Sequence, residues 1–297
     1  MSHKYYHNIE ENLRNNKNNL DYILNNLITS FSLYFLSDHF IGNELERFNV
    51  PVNPKSNNIL KNDNIDAMKE MQILFVQNDF FDIFINKYLP NIKCKFILIT
   101  GQWKLPQLKV EEKTEKLLKE ERIHTWFSQN PIFKHPKYFP FPYGLNYGYM
   151  KKSKTPDILT YVNELLKTCN KKTNIENLPM NYKTNKCRLI FPRLKPIKNS
   201  DFYEKMHQSK FILSPIGDRN ETYRHWEAIG LGTIPIANVG ELYKDLFQYN
   251  MYYVKNTQKM LQMYKSQPKL NYNCPNKDLV CLDYWKDFIK EKSNITV

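Results

Sequence analysis

The sequence predicts an α/β protein made of two doubly wound domains that face each other across a cleft. Three observations lead there. Short apolar runs of strand length alternate with amphipathic stretches of helix length, the pattern of parallel sheets covered by helices. The alternation forms two series, separated by a Lys-, Asn- and Thr-rich segment at about 150–185. A chain of 297 residues is long enough for two domains that each bury a core.

Taken in order, the first 65 residues are polar and Asn-rich. Within them "LDYILNNLITSFSLYFLS" (20–37) carries Leu20, Ile23, Leu24, Leu27, Ile28 and Phe31 at helical spacing and reads as one helix. "NVPVNPKSNN" is an irregular loop. "ILFV" (73–76) is a strand and "DFFDIFINKYL" (79–89) a helix. "KFILIT" (95–100) is a second strand, stopped by Gly101. "VEEKTEKLLKEERI" is a helix with acids and bases spaced for i,i+4 pairing. "YFPFPYGLN" (138–146) is a Pro-rich loop with a brief strand, and "DILTYVNELLKTC" a helix. The second series runs "CRLIF" (187–191, strand), "DFYEKMHQS" (helix), "FILS" (211–214, strand), "ETYRHWEAIGLG" (helix), "TIPIA" (233–237, strand), "ELYKDLF" (helix), "MYYV" (strand) and "LDYWKDFIKEK" (helix). The expected domains are 1–165, 166–280, and a final helix in 281–297 that packs back on the first domain.

Composition narrows the function classes. Hydrophobic residues make up 41% and charged residues 25%, as in a globular protein. The net charge of +13 favours an anionic partner. The basic residues are scattered, with only short clusters at Lys151–Lys152–Ser153–Lys154 and Lys171–Lys172, so nucleic acid is not the expected partner. The abundance of Asn and Lys fits AT-rich coding, as in some viruses and protists. The five cysteines lack metal spacing and fit a reducing compartment. The first residues lack the apolar core of a signal peptide, and no apolar run reaches the ~18 residues of a membrane span. A cytoplasmic location is therefore expected.

One stretch stands apart. The chain has 8 glycines, and Gly217, Gly230 and Gly232 fall within "FILSPIGDRNETYRHWEAIGLGTIPIA" (211–237). A strand ending at Ser214, a turn containing Gly217 and a helix starting near Asn220 or Glu221 present free backbone N–H groups to an anion. Arg224 and Glu227, at i and i+3, share a helix face and suit the phosphate and ribose of a nucleotide sugar. The alternative is an intrahelical ion pair around a core Trp226.

The same stretch resembles the exostosin-like glycosyltransferases. Phe211, Leu213, Ser214, Pro215, Gly217, Thr222, Arg224, Trp226, Glu227, Ala228, Gly232, Pro235 and Ile236 fall on that family's signature at its spacing. "ILFVQNDFFDIFINKYLPNIKCKFILITG" and "HTWFSQN…YFPFPYGLNYG" are similar to further stretches of its short viral, plant and ribitol xylosyltransferase-like members, so the resemblance covers about residues 70–260. It departs at Gly101–Gln102–Trp103 and at Asp218–Arg219. The resemblance implies a GT-B architecture with two Rossmann-like domains and inverting transfer from a UDP-sugar, with xylose the favoured sugar, to an oligosaccharide or glycoprotein acceptor. It places Ser214, Pro215, Gly217, Thr222 and Arg224 around the diphosphate and Glu227 on the ribose, with Arg188 or Arg193 as a second cation.

Such a transfer needs stabilisation of the leaving diphosphate and a base for the acceptor hydroxyl. No Asp-x-Asp occurs in the chain, so metal-independent catalysis is expected, with no cofactor and with Arg224 and the helix dipole taking the charge. Asp79 is the expected base, on its match to the family's Asp after the strand; it would serve equally as a helix N-cap. Asp82, Glu121 and His124 are rivals, His225 reads as structural and His207 as a surface residue. Gln102, Trp103, Tyr143 and Asn146 are the expected acceptor residues, and the aromatics around Tyr143 form either a sugar-stacking wall or a packed loop. A non-catalytic binder of sugar nucleotides or glycans, and a basic nucleic-acid binder, remain as alternatives.

Overall fold

The structure, a computed structural model, describes residues 3–42, 68–101, 108–129, 131–148, 157–180, 186–217 and 219–294. It has the expected α/β class, with two parallel sheets in two compact units. The units divide the chain differently from the sequence boundaries at 165 and 280. One comprises Ser30–Tyr143 and Trp285–Val297, the other Met1–Thr29 and Gly144–Tyr284.

The five-stranded unit contains β1 (His39–Ile41), β2 (Ile73–Gln77), β3 (Phe96–Gly101), β4 (Ile123–Ser128) and β5 (Tyr138–Pro140), all parallel and in sequence order. The apolar residues of β2 and β3 are buried nearly throughout, as expected for strands covered on both faces. Leu74, Val76, Phe84, Phe96, Leu98 and Trp126 share one core cluster. The Trp126 indole N–H donates to Thr100 Oγ1 at 2.8 Å, which satisfies the one polar group of the largest core residue. The helical run after β2 is irregular. It opens as a 3₁₀ turn at Asn78–Phe80, continues through a short α segment and a π turn at Phe84–Tyr88, and closes as a 3₁₀ turn at Leu89–Asn91. Gly101 is the last residue of β3 rather than the residue after it. A Cβ there would stand 2.5 Å from Gln129 Oε1 and 2.7 Å from Leu33 Cδ1. In the final helix, Leu282–Lys292, Phe288 lies against Phe127 and Phe139, and Trp285 against Phe141.

The four-stranded unit contains β6 (Thr173–Glu176), β7 (Ser209–Leu213), β8 (Ile234–Ala237) and β9 (Tyr252–Tyr253), again parallel and in sequence order. The helix Lys4–Asn15 buries Tyr6, Ile9 and Leu13 along one stripe. Other helices run over Asp157–Leu165, Asn199–His207, Tyr223–Gly230 and Thr257–Ser266.

Three sequence expectations are corrected. The stretch 20–37 is two helices, Leu20–Asn26 and Ser32–Leu36. Between them the backbone pairs outward: Ile28 N–H donates to Val280 O, and Leu145 N–H donates to Ile28 O, each at 2.9 Å. These bonds replace the i→i−4 ladder across residues 27–29. "CRLIF" is a 3₁₀ turn at Lys186–Ile190, not a strand, and leaves Leu189 51% exposed. The first strand of the second sheet is instead "TNIE", inside the segment read as a connection. The helix of the glycine-rich stretch begins at Tyr223, with Thr222 as its extended N-cap, rather than at Asn220 or Glu221.

The glycines that close this helix have separate causes. Gly232 has φ +67°, a conformation that disfavours side chains. Gly230 is still helical, and a Cβ there would lie 2.0 Å from the Tyr161 hydroxyl oxygen. Gly230→Ala is therefore expected to destabilise by about 1–3 kcal/mol through overpacking. Removing the obstructing hydroxyl with Tyr161→Phe should recover part of that loss, measured as a coupling of about 1 kcal/mol in a double-mutant cycle of denaturant melts. Strict additivity would show that Tyr161 is not the obstruction.

Candidate functional site

The carboxyl ends of parallel strands expose backbone groups that the ladder no longer satisfies, and loops there are where α/β sheets gather functional groups. In the four-stranded unit the loop after β7 runs Ser214, Pro215, Ile216 and Gly217, and leads towards the helix Tyr223–Gly230, here called α8 by its place in the chain order α1 (Lys4–Asn15), α2 (Leu20–Asn26), α3 (Ser32–Leu36), α4 (Phe81–Ile83), α5 (Glu112–Lys119), α6 (Asp157–Leu165), α7 (Asn199–His207) and α8. Ser214 N–H donates to Ile236 O at 2.9 Å, extending the ladder with β8 by one bond. Ile216 N–H donates to the Asn238 side-chain oxygen at 3.2 Å.

His225 fixes the loop to the helix. Its Nε2–H donates to Ser214 O at 3.1 Å, while its Nδ1 accepts from the Thr222 backbone N–H at 3.3 Å. Only the neutral imidazole with the proton on Nε2 makes both bonds. Burial holds its pKa down at about 3, opposed by the Ser214 carbonyl and helped by Arg224 and Arg188. The residue is therefore structural, as its position beside Trp226 suggests.

Two guanidinium groups lie along the same loop. Arg188 Nε donates to Ile216 O at 3.1 Å, and its Nη2 to Pro215 O at 3.5 Å. Arg224 donates to Leu213 O at 3.3 Å and to Pro179 O, and stacks over the Phe202 ring with its central carbon 5.3 Å from the centroid. Gly217 is explained by Arg188, since a Cβ would sit 2.8 Å from its Nη2. Arg193 is exposed, five residues beyond Arg188 on a stretch without regular structure.

Glu227 is on the same helix but is buried, with 5% exposure. Tyr203 O–H donates to its Oε1 at 3.0 Å, and Tyr161 O–H donates to its backbone carbonyl at 3.3 Å. Burial pushes its carboxyl up from 4.5 to about 7, against the pull of the Tyr203 hydroxyl and of Arg224. Arg224 and Glu227 thus occupy the helix as the i,i+3 spacing predicts, the first half-buried and the second enclosed.

The remaining expected residues are dispersed. Asp79 is exposed at the carboxyl end of β2 in the five-stranded unit, and accepts from Gln77 Nε2 at 3.3 Å. Its carboxylate caps no helix, because the helical run begins before it, at Asn78. Of its rivals, Asp82 pairs with Lys113 at 2.6 Å, Glu121 is exposed, and His124 bonds Ser293 O at 3.0 Å. Tyr143 is buried, as are Tyr138 and Phe141, so the described aromatics of that segment pack as core. Asn146 donates to Asp157 at 3.2 Å and accepts from Gly148 N–H. Gln102 and Trp103 lie outside the described residues. His207, expected at the surface, is buried and bonded to Glu164 at 2.9 Å. Sequence reasoning missed Tyr203 and Phe202, which carry no motif of their own and meet the site only through the fold. Among the described residues, no group of three His, Cys, Asp or Glu side chains could hold a metal ion. No helix described is long and apolar enough to cross a membrane.

Glu227 makes stability pH-dependent with a definite sign. Between about 4.5 and about 7 the native state holds a proton that the unfolded chain has lost, so stability falls as pH rises. Glu227→Gln keeps the acceptor for Tyr203 and removes the charge. It should stabilise the protein by up to about 3 kcal/mol at pH 8 and by little at pH 5. Thermal melts of both proteins across this range test it, and an equal difference at both ends would refute the assignment.

Neither a protein-family profile nor a curated protein sequence matches the chain. Among solved structures it is similar to an α1,3-fucosyltransferase, with a TM-score of 0.34 and 14% identity over 80% of this chain and 82% of that one. It is also similar to an α1,3-fucosyltransferase with GDP, with a TM-score of 0.31 and 12% identity over 80% and 81%. Likeness at this level assigns neither a family nor a ligand.

Proposed function

We propose that the chain is an inverting, metal-independent glycosyltransferase of the GT-B kind, which moves a sugar from a nucleoside diphosphate to a glycan hydroxyl. The observation that carries the reading is the pair Arg188 and Arg224, both bonded to the backbone of residues 213–216 at the carboxyl end of β7, beside the amino end of α8. Two fixed cations and a helix start form an environment in which a diphosphate leaving group is stabilised without reorganisation.

In the proposed reaction the acceptor oxygen bonds to the anomeric carbon as the bond from that carbon to the β-phosphate oxygen breaks. The electron pair leaves with the diphosphate, whose charge Arg224 and Arg188 offset. The hydroxyl proton passes to the Asp79 carboxylate, which is exposed and bonded only weakly to Gln77. Pro215, Gly217 and Thr222 would border the phosphates, with the guanidinium groups as the donors, because the N–H groups of Gly217 and Thr222 already bond Arg219 O and His225 Nδ1. Ser214 is fully buried, with its N–H on Ile236 O and its carbonyl on His225, and acts by holding the loop in place. Glu227 takes the ribose by sharing or exchanging its bond with Tyr203. UDP is the proposed nucleotide and xylose the proposed sugar, both on the resemblance of 211–237. The absence of Asp-x-Asp supports a metal-free route.

Calorimetric titration with UDP, GDP and a panel of their sugars, combined with product analysis on oligosaccharide acceptors, tests the reading. Arg224→Ala should weaken nucleotide binding by about tenfold or more. Asp79→Asn should leave binding intact and reduce transfer by about 100-fold or more. Transfer should persist in EDTA. Binding without transfer would identify a non-catalytic sugar-nucleotide binder, and no binding of any nucleotide would reject both.

A further inference from the structure

At the amino ends of β6, β7 and β8, the edge of the sheet opposite the candidate donor site, lies a cavity of about 330 Å³ lined by Lys172, Lys277, Tyr272 and Cys274 among others. The Lys172 ammonium donates to the backbone carbonyls of His207, Ser209 at 3.3 Å and Leu231 at 3.2 Å, and to Thr233 Oγ1 at 3.3 Å. Every one of these acceptors is neutral. Lys277 Nζ stands 4.9 Å from the centre of the Tyr6 ring, a contact that also brings no negative charge. Burial lowers both lysines, Lys172 to about 8, a value to which Lys277 contributes and which Cys169 and Cys274 oppose.

The carboxylates nearby are committed elsewhere. Glu10 pairs with Arg14 at 2.7 Å, Glu164 with Lys167 at 2.8 Å and His207 at 2.9 Å, and Asp278 accepts the Tyr6 backbone N–H at 2.8 Å. Among the described residues no carboxylate hydrogen-bonds either ammonium group; Glu10, also on the cavity wall, acts on Lys277 only at a distance, and the two lysines repel each other. That arrangement is costly unless an anion completes it. Gly232 keeps the wall thin, because a Cβ there would lie 3.3 Å from Cys274 Sγ and 3.9 Å from Lys172 Nζ.

We propose that this cavity is a second binding site, for a phosphate dianion, either inorganic phosphate or the phosphate group of a small monoester, held between Lys172 and Lys277. A dianion accepts charge-assisted hydrogen bonds from Lys277, while Lys172, whose N–H groups are already taken by carbonyls and Thr233, attracts it through its charge alone. The volume is within the range of small-molecule sites and leaves room for the organic part of an ester beside Tyr272 and Cys274. The site is separate from the proposed donor site and does not depend on it.

Calorimetry of the full chain with inorganic phosphate, and with glucose 6-phosphate, at constant ionic strength against chloride tests the proposal. Saturable binding is expected, together with slower alkylation of Cys274 by iodoacetamide, read by mass spectrometry. Lys277→Gln should weaken binding by about tenfold or more while leaving UDP binding unchanged, and Arg224→Ala should leave the Cys274 protection intact. Lys172→Met also removes the tie across three strand starts, so Lys277→Gln carries the test. Tighter binding of the ester assigns a phosphorylated metabolite, and equal binding assigns phosphate itself. The proposal is overturned if neither probe saturates, or if binding neither responds to Lys277→Gln nor protects Cys274. Loss of UDP binding alone leaves this site standing and removes only the glycosyltransferase reading.

Discussion

The candidate site depends on one buried imidazole. His225 accepts from the N-cap backbone of α8 and donates to the carbonyl that follows β7, so a neutral ring joins helix and strand beside the bond from Arg224 to Leu213 O. Beyond Ser214 the chain is held at Ile216, whose N–H donates to Asn238 and whose carbonyl accepts from Arg188. With the ring in place, Pro215 to Gly217 has a defined course, and Arg188 and Arg224 find carbonyls at fixed positions. The low pKa follows from the same enclosure: the ring cannot take a proton without losing its bond from Thr222 and bringing charge beside two arginines.

How much of this is legible in the sequence depends on whether a signal is local. β2, β3, β7 and β8 are apolar runs with buried faces, and the sequence marks them directly. The α8 stretch is marked by its glycines and by Arg224 and Glu227. β6 is not marked, because "TNIE" lies at the sheet edge and Ile175 is its only buried residue. "CRLIF" errs the other way: an apolar run can be a surface turn, and Leu189 and Ile190 are exposed here. The break at 27–29 is invisible for a further reason. Its partners are Val280 and Leu145, and no window of sequence contains them.

The site shows the same division. Position along the helix follows from spacing, but burial does not. Arg224 and Glu227 share a face as expected, yet Tyr203 from another helix bonds the carboxylate and Tyr161 the backbone carbonyl of the same residue. The space beside Gly217 is taken by the Arg188 side chain, from another part of the chain. Asp79 shows the converse. The resemblance makes it a base and its place before an apolar helical run makes it equally a helix cap; the start of the helical run at Asn78 removes the second reading.

The closeness of Gly217 and Arg188 ties two distant stretches of sequence into one unit of change. The volume that a side chain at 217 would need is filled by the tip of Arg188. A larger residue at 217 displaces the guanidinium from the loop, and a shorter residue at 188 leaves space that 217 can then fill. Substitutions at the two positions are therefore non-additive, and either one alone alters the charge presented to the loop. Variation at 217 is tolerated only to the extent that the loop can do without a cation from 188.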